Sequence, residues 1–289
     1  MHLTRLLGQP YLLAALLVGL VTGAFASFVL DTGSEDTLAR YQRGQPLRVG
    51  YAIEQPFAMV EADGRVTGEA PEVLRYALRS LGKGDVVWLH ADFGSLIHEL
   101  ESGRIDVIAA GMFITPARAQ RVLFTRPTAS ISPGLLVRHG NPLHLHSLKD
   151  VVSRPMARLA VIDGSVEQQL AREAGKSEAR IQAYPDATAA AAAVSSGLAD
   201  ALMLSSMSLQ YLVATGGKGV FELIDATTAR EEFPAGLPAF AMRAEDVRLR
   251  DAIDEALAEF LGSAAHLELV RPFGILPENL APTSGKPKQ

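Results

Sequence analysis

Ser102-Gly103-Arg104-Ile105-Asp106 recurs later in the chain as Ser196-Gly197-Leu198-Ala199-Asp200. Each copy follows an apolar helical stretch and leads into strand-forming residues, Ile105 to Ala109 in the first case and Ala201 to Leu204 in the second. A helix–turn–strand unit that returns in matching context predicts two similar lobes, not two unrelated domains. The 289 residues suffice for that arrangement, at roughly 100–200 residues per domain.

The surrounding pattern predicts an α/β protein with largely parallel sheets. Leu47 to Ile53 alternates like a half-buried strand and ends at Glu54-Gln55-Pro56-Phe57. Gly68 to Leu81 reads as a helix, Val86 to Leu89 as a strand and Phe93 to Glu101 as a helix stopped by Gly103. The second half repeats this: strand Leu159 to Ile162, turn Gly164-Ser165, helix Val166 to Ala174, strand Ile181 to Tyr184, helix Ala187 to Val194. Leu135 to Val137 and Ala239 to Met242 flank that half and read as two crossover strands. Asp246 to Leu261 follows as an amphipathic helix. The expected division is a polar linker at 31–46, lobe 1 at 47–137 and 239–280, lobe 2 at 138–238, and a disordered Pro-, Gly- and Lys-rich tail at 281–289.

The N-terminal segment, 1–30, belongs to neither lobe. Tyr11 to Leu30 carries no charge, with Arg5 before it and Asp31, Glu35 and Asp36 after it. A helix of that length spans about 30 Å, and the positive flank stays inside, so the body is expected outside the cytoplasmic membrane. Ala24-Phe25-Ala26 offers a signal-peptide cleavage site. The apolar run continuing through Phe28, Val29 and Leu30 fits an uncleaved anchor, and both readings stay open.

Composition excludes several chemistries. The net charge of −5 argues against a nucleic-acid partner. The chain lacks cysteine, so disulfides, thiolate metal sites, a cysteine nucleophile and a lipid-modified N-terminal cysteine are all ruled out. No phosphate-binding, nucleophile-elbow or zinc-protease motif is present. His144-Leu145-His146 is expected in a loop without a third ligand. Neither metal nor cofactor is expected, and no enzymatic activity.

One stretch points to a ligand. Strand residues end near Gly111, Thr115 suits a helix N-cap, Pro116 suits the first helical position, and Arg118 then falls in the first turn. A cation there opposes the helix dipole unless an anion sits between them. Arginine holds a carboxylate through two parallel hydrogen bonds. A surface arginine paired with a nearby acid fits the local pattern equally well.

Residues 47–276 resemble the extracellular solute-binding proteins of polar amino-acid ABC importers, bacterial solute-binding family 3. The residues carrying the resemblance are Leu47-Arg48-Val49-Gly50, Gly103-Arg104-Ile105-Asp106, Thr115-Pro116-Ala117-Arg118, Phe124-Thr125-Arg126-Pro127, Gly197-Leu198-Ala199-Asp200 and Pro272-Phe273-Gly274. The resemblance implies a type II periplasmic-binding-protein fold, with two α/β lobes, two crossover strands and a ligand in the cleft. It implies that Arg118 binds a ligand carboxylate, and that the partners are a small zwitterion and an ABC permease. A monomer is expected.

Two departures bear on the ligand. The acidic residue that amino-acid binders carry five positions after the Asp of the second turn is Ser205 here, and Thr128 replaces an aromatic. Phe113 stands where a small hydroxyl residue is common. In these respects, and in the runs Phe93-Gly94-Ser95-Leu96-Ile97, Ala109-Ala110-Gly111-Met112-Phe113-Ile114-Thr115-Pro116 and Glu54-Gln55-Pro56-Phe57, the chain resembles the ectoine- and hydroxyectoine-binding branch. That resemblance implies an aromatic box of Phe57, Phe93 and Phe113, with Glu54 on the ligand cation and Arg118 on its carboxylate. The chemistry is coherent: a cyclic amidinium spreads its charge and suits aromatic faces, at about 0.5–2 kcal/mol per ring. At the start of the second-lobe helix, Ser165 and the backbone N–H groups are candidates for the carboxylate, or form an ordinary cap.

Three other readings remain at this point. The same module could take another amino acid or a betaine-like solute. A membrane-tethered sensory receptor would follow from an uncleaved anchor. A dehydratase of prephenate-like acids would need a proton donor, for which Glu54 is the one cleft carboxylate to nominate.

Overall fold

The computed structural model describes residues 36–224 and 234–281. Twelve strands lie among them: β1 (Leu47–Tyr51), β2 (Met59–Val60), β3 (Val66–Thr67), β4 (Val86–His90), β5 (Val107–Ile108), β6 (Val122–Phe124), β7 (Pro133–Arg138), β8 (Leu159–Ile162), β9 (Ile181–Tyr184), β10 (Ala201–Ser205), β11 (Phe221–Ile224) and β12 (Ala241–Arg243). They form two five-stranded sheets, ordered β4-β1-β5-β12-β6 and β11-β7-β10-β8-β9, and a small β2-β3 hairpin. In each large sheet the strands linked by helices run parallel. The strands arriving by crossover run antiparallel to their neighbours: β12 in the first sheet, β7 in the second. This is the expected two-lobed α/β fold.

The recurring five-residue turn has a physical reason. Gly103 (φ +71°) and Gly197 (φ +76°) both adopt the left-handed conformation that reverses the chain. Three residues on, each aspartate locks the start of its sheet. Asp106 accepts the Arg48 backbone N–H at 3.0 Å and its guanidinium at 3.0 and 2.7 Å. Asp200 accepts the Arg158 backbone N–H at 2.8 Å and its guanidinium at 3.1 and 2.9 Å. The repeat is one clamp used twice.

The division of the chain needs two corrections. The stretch 31–46, expected as a polar linker, contributes the helix Thr37–Gln42. Asp36 caps it by accepting from the Leu38 N–H, and Leu38 and Tyr41, three apart on one face, bury in the first lobe's core. Arg40 reaches Asp106 at 3.2 Å. The second correction concerns the crossover at Leu135 to Val137, expected as the end of the first stretch of lobe 1. These residues lie wholly inside the second sheet, between β10 and β11. The chain therefore crosses before Pro133. The two crossing segments are tied by Thr128 N–H to Pro238 O at 2.8 Å and by a mutual pair between Ile131 and Gly236 at 2.9 and 2.7 Å. An apolar strand buried on both faces carries no mark of which sheet it joins. The N-terminal segment 1–30 and, but for Ala281, the tail 281–289 lie outside the described residues. Among the described residues no helix is long and apolar enough to cross a membrane.

In open α/β sheets, ligands bind beyond the carboxyl ends of the strands. Four such ends matter here: Glu54 to Phe57 after β1, Gly111 to Phe113 after β5, Gly164 to Glu167 after β8, and Ser205 to Ser208 at and after β10.

Candidate ligand-binding site

Arg118 stands at the centre. Thr115 caps the helix Pro116–Ala119, its hydroxyl accepting the Arg118 N–H at 3.2 Å. That helix is a single turn, so a dipole conflict is a minor effect. Carbonyls orient the guanidinium instead. One Nη donates to Phe113 O at 2.7 Å within the first lobe, and the other to Gly164 O at 3.0 Å in the second. The guanidinium also lies 5.5 Å from the Phe93 ring centroid, within cation–π range. Two of its five N–H groups are thus engaged and three are free for an anion. Burial lowers the Arg118 pKa, and the Glu167 charge opposes that shift.

Two buried carboxyls share this region. Glu54 is 8% exposed, and its Oε1 accepts the Ser208 hydroxyl at 2.8 Å. Burial, reinforced by Glu167, pushes the Glu54 carboxyl up to about 8, and the Ser208 bond only partly offsets this. Glu167 is 3% exposed. Burial raises its pKa too, while its own backbone N–H, Arg118 and the Ser165 hydroxyl pull the other way. A cationic ligand group placed here would meet two carboxyls and restore their ionisation.

The three phenylalanines are all buried: Phe57 at 1%, Phe93 at 8% and Phe113 at 7%. Phe57 and Phe113 share one apolar cluster and Phe93 belongs to another. Phe57 lies against Gly111, where a Cβ would come within 2.7 Å of its ring. Phe113 is pressed against Gly236 of the returning crossover and bridges to Pro238. Arg118 links the two clusters by touching both Phe93 and the Phe113 carbonyl.

Ser165 and Ser205 are both helix caps. The Ser165 hydroxyl accepts the Gln168 N–H at 3.2 Å. The Ser205 hydroxyl accepts the Ser208 N–H at 3.1 Å and donates to the Ser208 hydroxyl at 2.9 Å. Ser208, and not Ser205, therefore reaches Glu54. Sequence reasoning did not assign Ser208 or Glu167. Ser208 lies on the helix Ser206–Thr215, for which the composition carries weak periodicity. Glu167 falls in a helix's first turn, where an acid is ordinary.

Residues 47–271 match the family model of bacterial extracellular solute-binding proteins, family 3, and the chain belongs to that family. A probable amino-acid ABC transporter periplasmic-binding protein of Sinorhizobium fredii is 31% identical over 242 residues, 81% of this chain and 79% of that one. The crystal structure of EhuB in complex with hydroxyectoine superposes with a TM-score of 0.79 at 32% identity, covering 84% of this chain and 94% of that one. An ancestral amino acid-binding protein, AncCDT-1, described as a precursor of cyclohexadienyl dehydratase, gives a TM-score of 0.72 at 25% identity over 82% of this chain and 99% of that one. The protein is thus a solute-binding protein of an amino-acid-type ABC importer, working with a membrane permease.

Proposed function

We propose that the ligand is a compact zwitterion of the ectoine or hydroxyectoine type, delivered to its permease from the outer side of the membrane. The observation that carries this reading is the opposition of Arg118 to Glu54 and Glu167, all held between the two lobes. The arginine's free N–H groups suit a carboxylate. The two carboxyls suit a cation that itself bears N–H groups, as an amidinium does. The Phe93 ring beside Arg118 suits a charge spread over a ring, and Phe57 and Phe113, at neighbouring strand ends in a separate apolar cluster, are the other aromatic candidates. The likeness to EhuB supports the same class.

Ser205 holds no acid for an α-ammonium, and Glu167 supplies the second-lobe carboxyl from a different strand end. Calorimetric titration with ectoine, hydroxyectoine, arginine, glutamate and a betaine tests the reading. Tightest binding of ectoine or hydroxyectoine is expected. Stronger binding of arginine or glutamate would replace it with an amino-acid ligand.

A further inference from the structure

We propose that the contact between Gly94 and Gly164 is the stop that sets how far the two lobes close, and that it thereby limits the cleft to a compact ligand. The size limit rests on the ligand reading above; the stop itself does not.

Gly94 lies in the single-turn helix Phe93–Ser95, beside the ring that faces Arg118. Gly164 lies in the turn after β8, at φ +71°, and its carbonyl receives Arg118. The two backbones meet directly. A Cβ on Gly164 would stand 2.7 Å from Gly94 Cα. A Cβ on Gly94 would stand 3.1 Å from the Asp163 carbonyl oxygen and 3.2 Å from its carboxylate. A side chain at Gly164 requires the facing backbone to move, and one at Gly94 requires the Asp163 segment to give by a few tenths of an ångström, more for a branched side chain.

Gly94 has no positive φ to require glycine, and both glycines are exposed at the rim, outside the apolar clusters. The three atoms nearest a Cβ at position 94 all belong to Asp163 of the other lobe. Its lack of a side chain is therefore explained by the opposing backbone. A substitution there acts on the closed arrangement and leaves the local conformation of the first lobe unstrained.

The stop has a chemical consequence. The Arg118 bond to Gly164 O forms only when the rim comes this close. A ligand with a long side chain between the rims holds Gly94 and Gly164 apart and loses that bond. A compact ring does not.

The test uses Gly94→Ala and Gly94→Val in the full chain. Because the chain lacks cysteine, single cysteines introduced at exposed Val87 in the first lobe and exposed Leu198 in the second accept spin labels cleanly. Interlobe distances are measured with and without ectoine, and affinities for ectoine and arginine by calorimetry. The short-distance population is expected to shrink from wild type to Ala to Val, with melting of the unliganded protein unchanged. Ectoine affinity is expected to fall at least tenfold in the Val variant, and arginine affinity less. A Val variant that keeps both the short distance and full ectoine affinity overturns the stop. So does a wild type that binds ectoine, or another ligand of the calorimetric panel, without ever showing the short distance. Wild type that does not bind ectoine removes the ligand reading alone, and the label distances still decide the stop. Wild type that closes fully on arginine and prefers it to ectoine overturns the size limit. If Gly94→Val does not fold, the Ala variant carries the same comparison with a smaller shift.

Discussion

The Ser208 hydroxyl donates to Glu54 Oε1 at 2.8 Å, joining residues 154 positions apart. Glu54 follows β1, an inner strand of one sheet, and Ser208 lies in the first turn of the helix after β10 of the other. The bond therefore exists only when the lobes are together. It places a second-lobe donor on the group that, in this reading, receives the ligand's cation.

That arrangement predicts pH-dependent binding. With the Glu54 carboxyl pushed up to about 8, the unliganded site is mostly protonated there at neutral pH. A cationic ligand favours the ionised form, so binding releases a proton. Affinity is expected to rise by up to roughly tenfold per pH unit between about 6 and 8, then level off. Glu54→Gln should flatten this profile and weaken binding. Calorimetry in two buffers of different ionisation enthalpy measures the proton directly, and zero proton release would contradict the assignment.

The two ends of the ligand should fail differently. Arg118→Ala removes a charge-assisted contact and is expected to cost about 2–4 kcal/mol of binding, 30-fold or more. Phe113→Leu removes one aromatic face and is expected to cost about 0.5–2 kcal/mol. Melting temperature is measured on the same variants. Phe113 also packs against Gly236 and Pro238, so Phe113→Ala should lose about 3–5 kcal/mol of stability as well. Intact binding in Arg118→Ala would refute the carboxylate role.

The two aspartate clamps should differ in weight. Asp106 is fully buried and receives Arg40, Arg48 and Arg243, whereas Asp200 receives Arg158 alone and is 10% exposed. Burial works against Asp106 ionisation, but the Arg48 and Arg243 bonds outweigh it and hold its pKa down. Asp106→Asn takes the shared anion from Arg40 and Arg48 and leaves Arg243 with Asp246 and Glu245, at a cost of about 3–5 kcal/mol. Asp200→Asn should cost less, and neither should alter ligand affinity in the folded protein. Chemical denaturation of both variants gives the comparison; an equal cost would mean that the extra arginines contribute nothing.

Glu69 predicts a stability trend with pH. It is 1% exposed, and neither carboxyl oxygen has a well-formed hydrogen bond. Burial pushes it up to about 7, with the Thr128 hydroxyl offsetting slightly. The folded state therefore binds this proton more tightly than the unfolded chain. Its stabilising contribution is present below about pH 4.5 and is lost as pH rises through about 7. Wild type should lose melting temperature between pH 5 and 8 faster than Glu69→Gln. Parallel profiles for the two proteins would refute this.

Much of the architecture was legible in the sequence. The Ser-Gly-x-x-Asp repeat marked two like lobes because its glycine needs a left-handed turn and its aspartate clamps an arginine, both local demands. Thr115-Pro116 marked a helix start, and neighbouring carbonyls, not a helix dipole, aim the Arg118 guanidinium that follows it. The helix Thr37–Gln42 is not legible because a short amphipathic segment with only two large apolar residues, Leu38 and Tyr41, looks like a linker until a core is there to receive it. Which sheet β7 joins, how Ser208 reaches Glu54, where Glu167 sits and how Gly94 meets Gly164 were decided by tertiary structure alone. The first depends on strand pairing within the second sheet, and the others on strand ends from different lobes arriving at one place. Periodicity and capping act over a few residues, whereas these contacts join segments tens to more than a hundred positions apart.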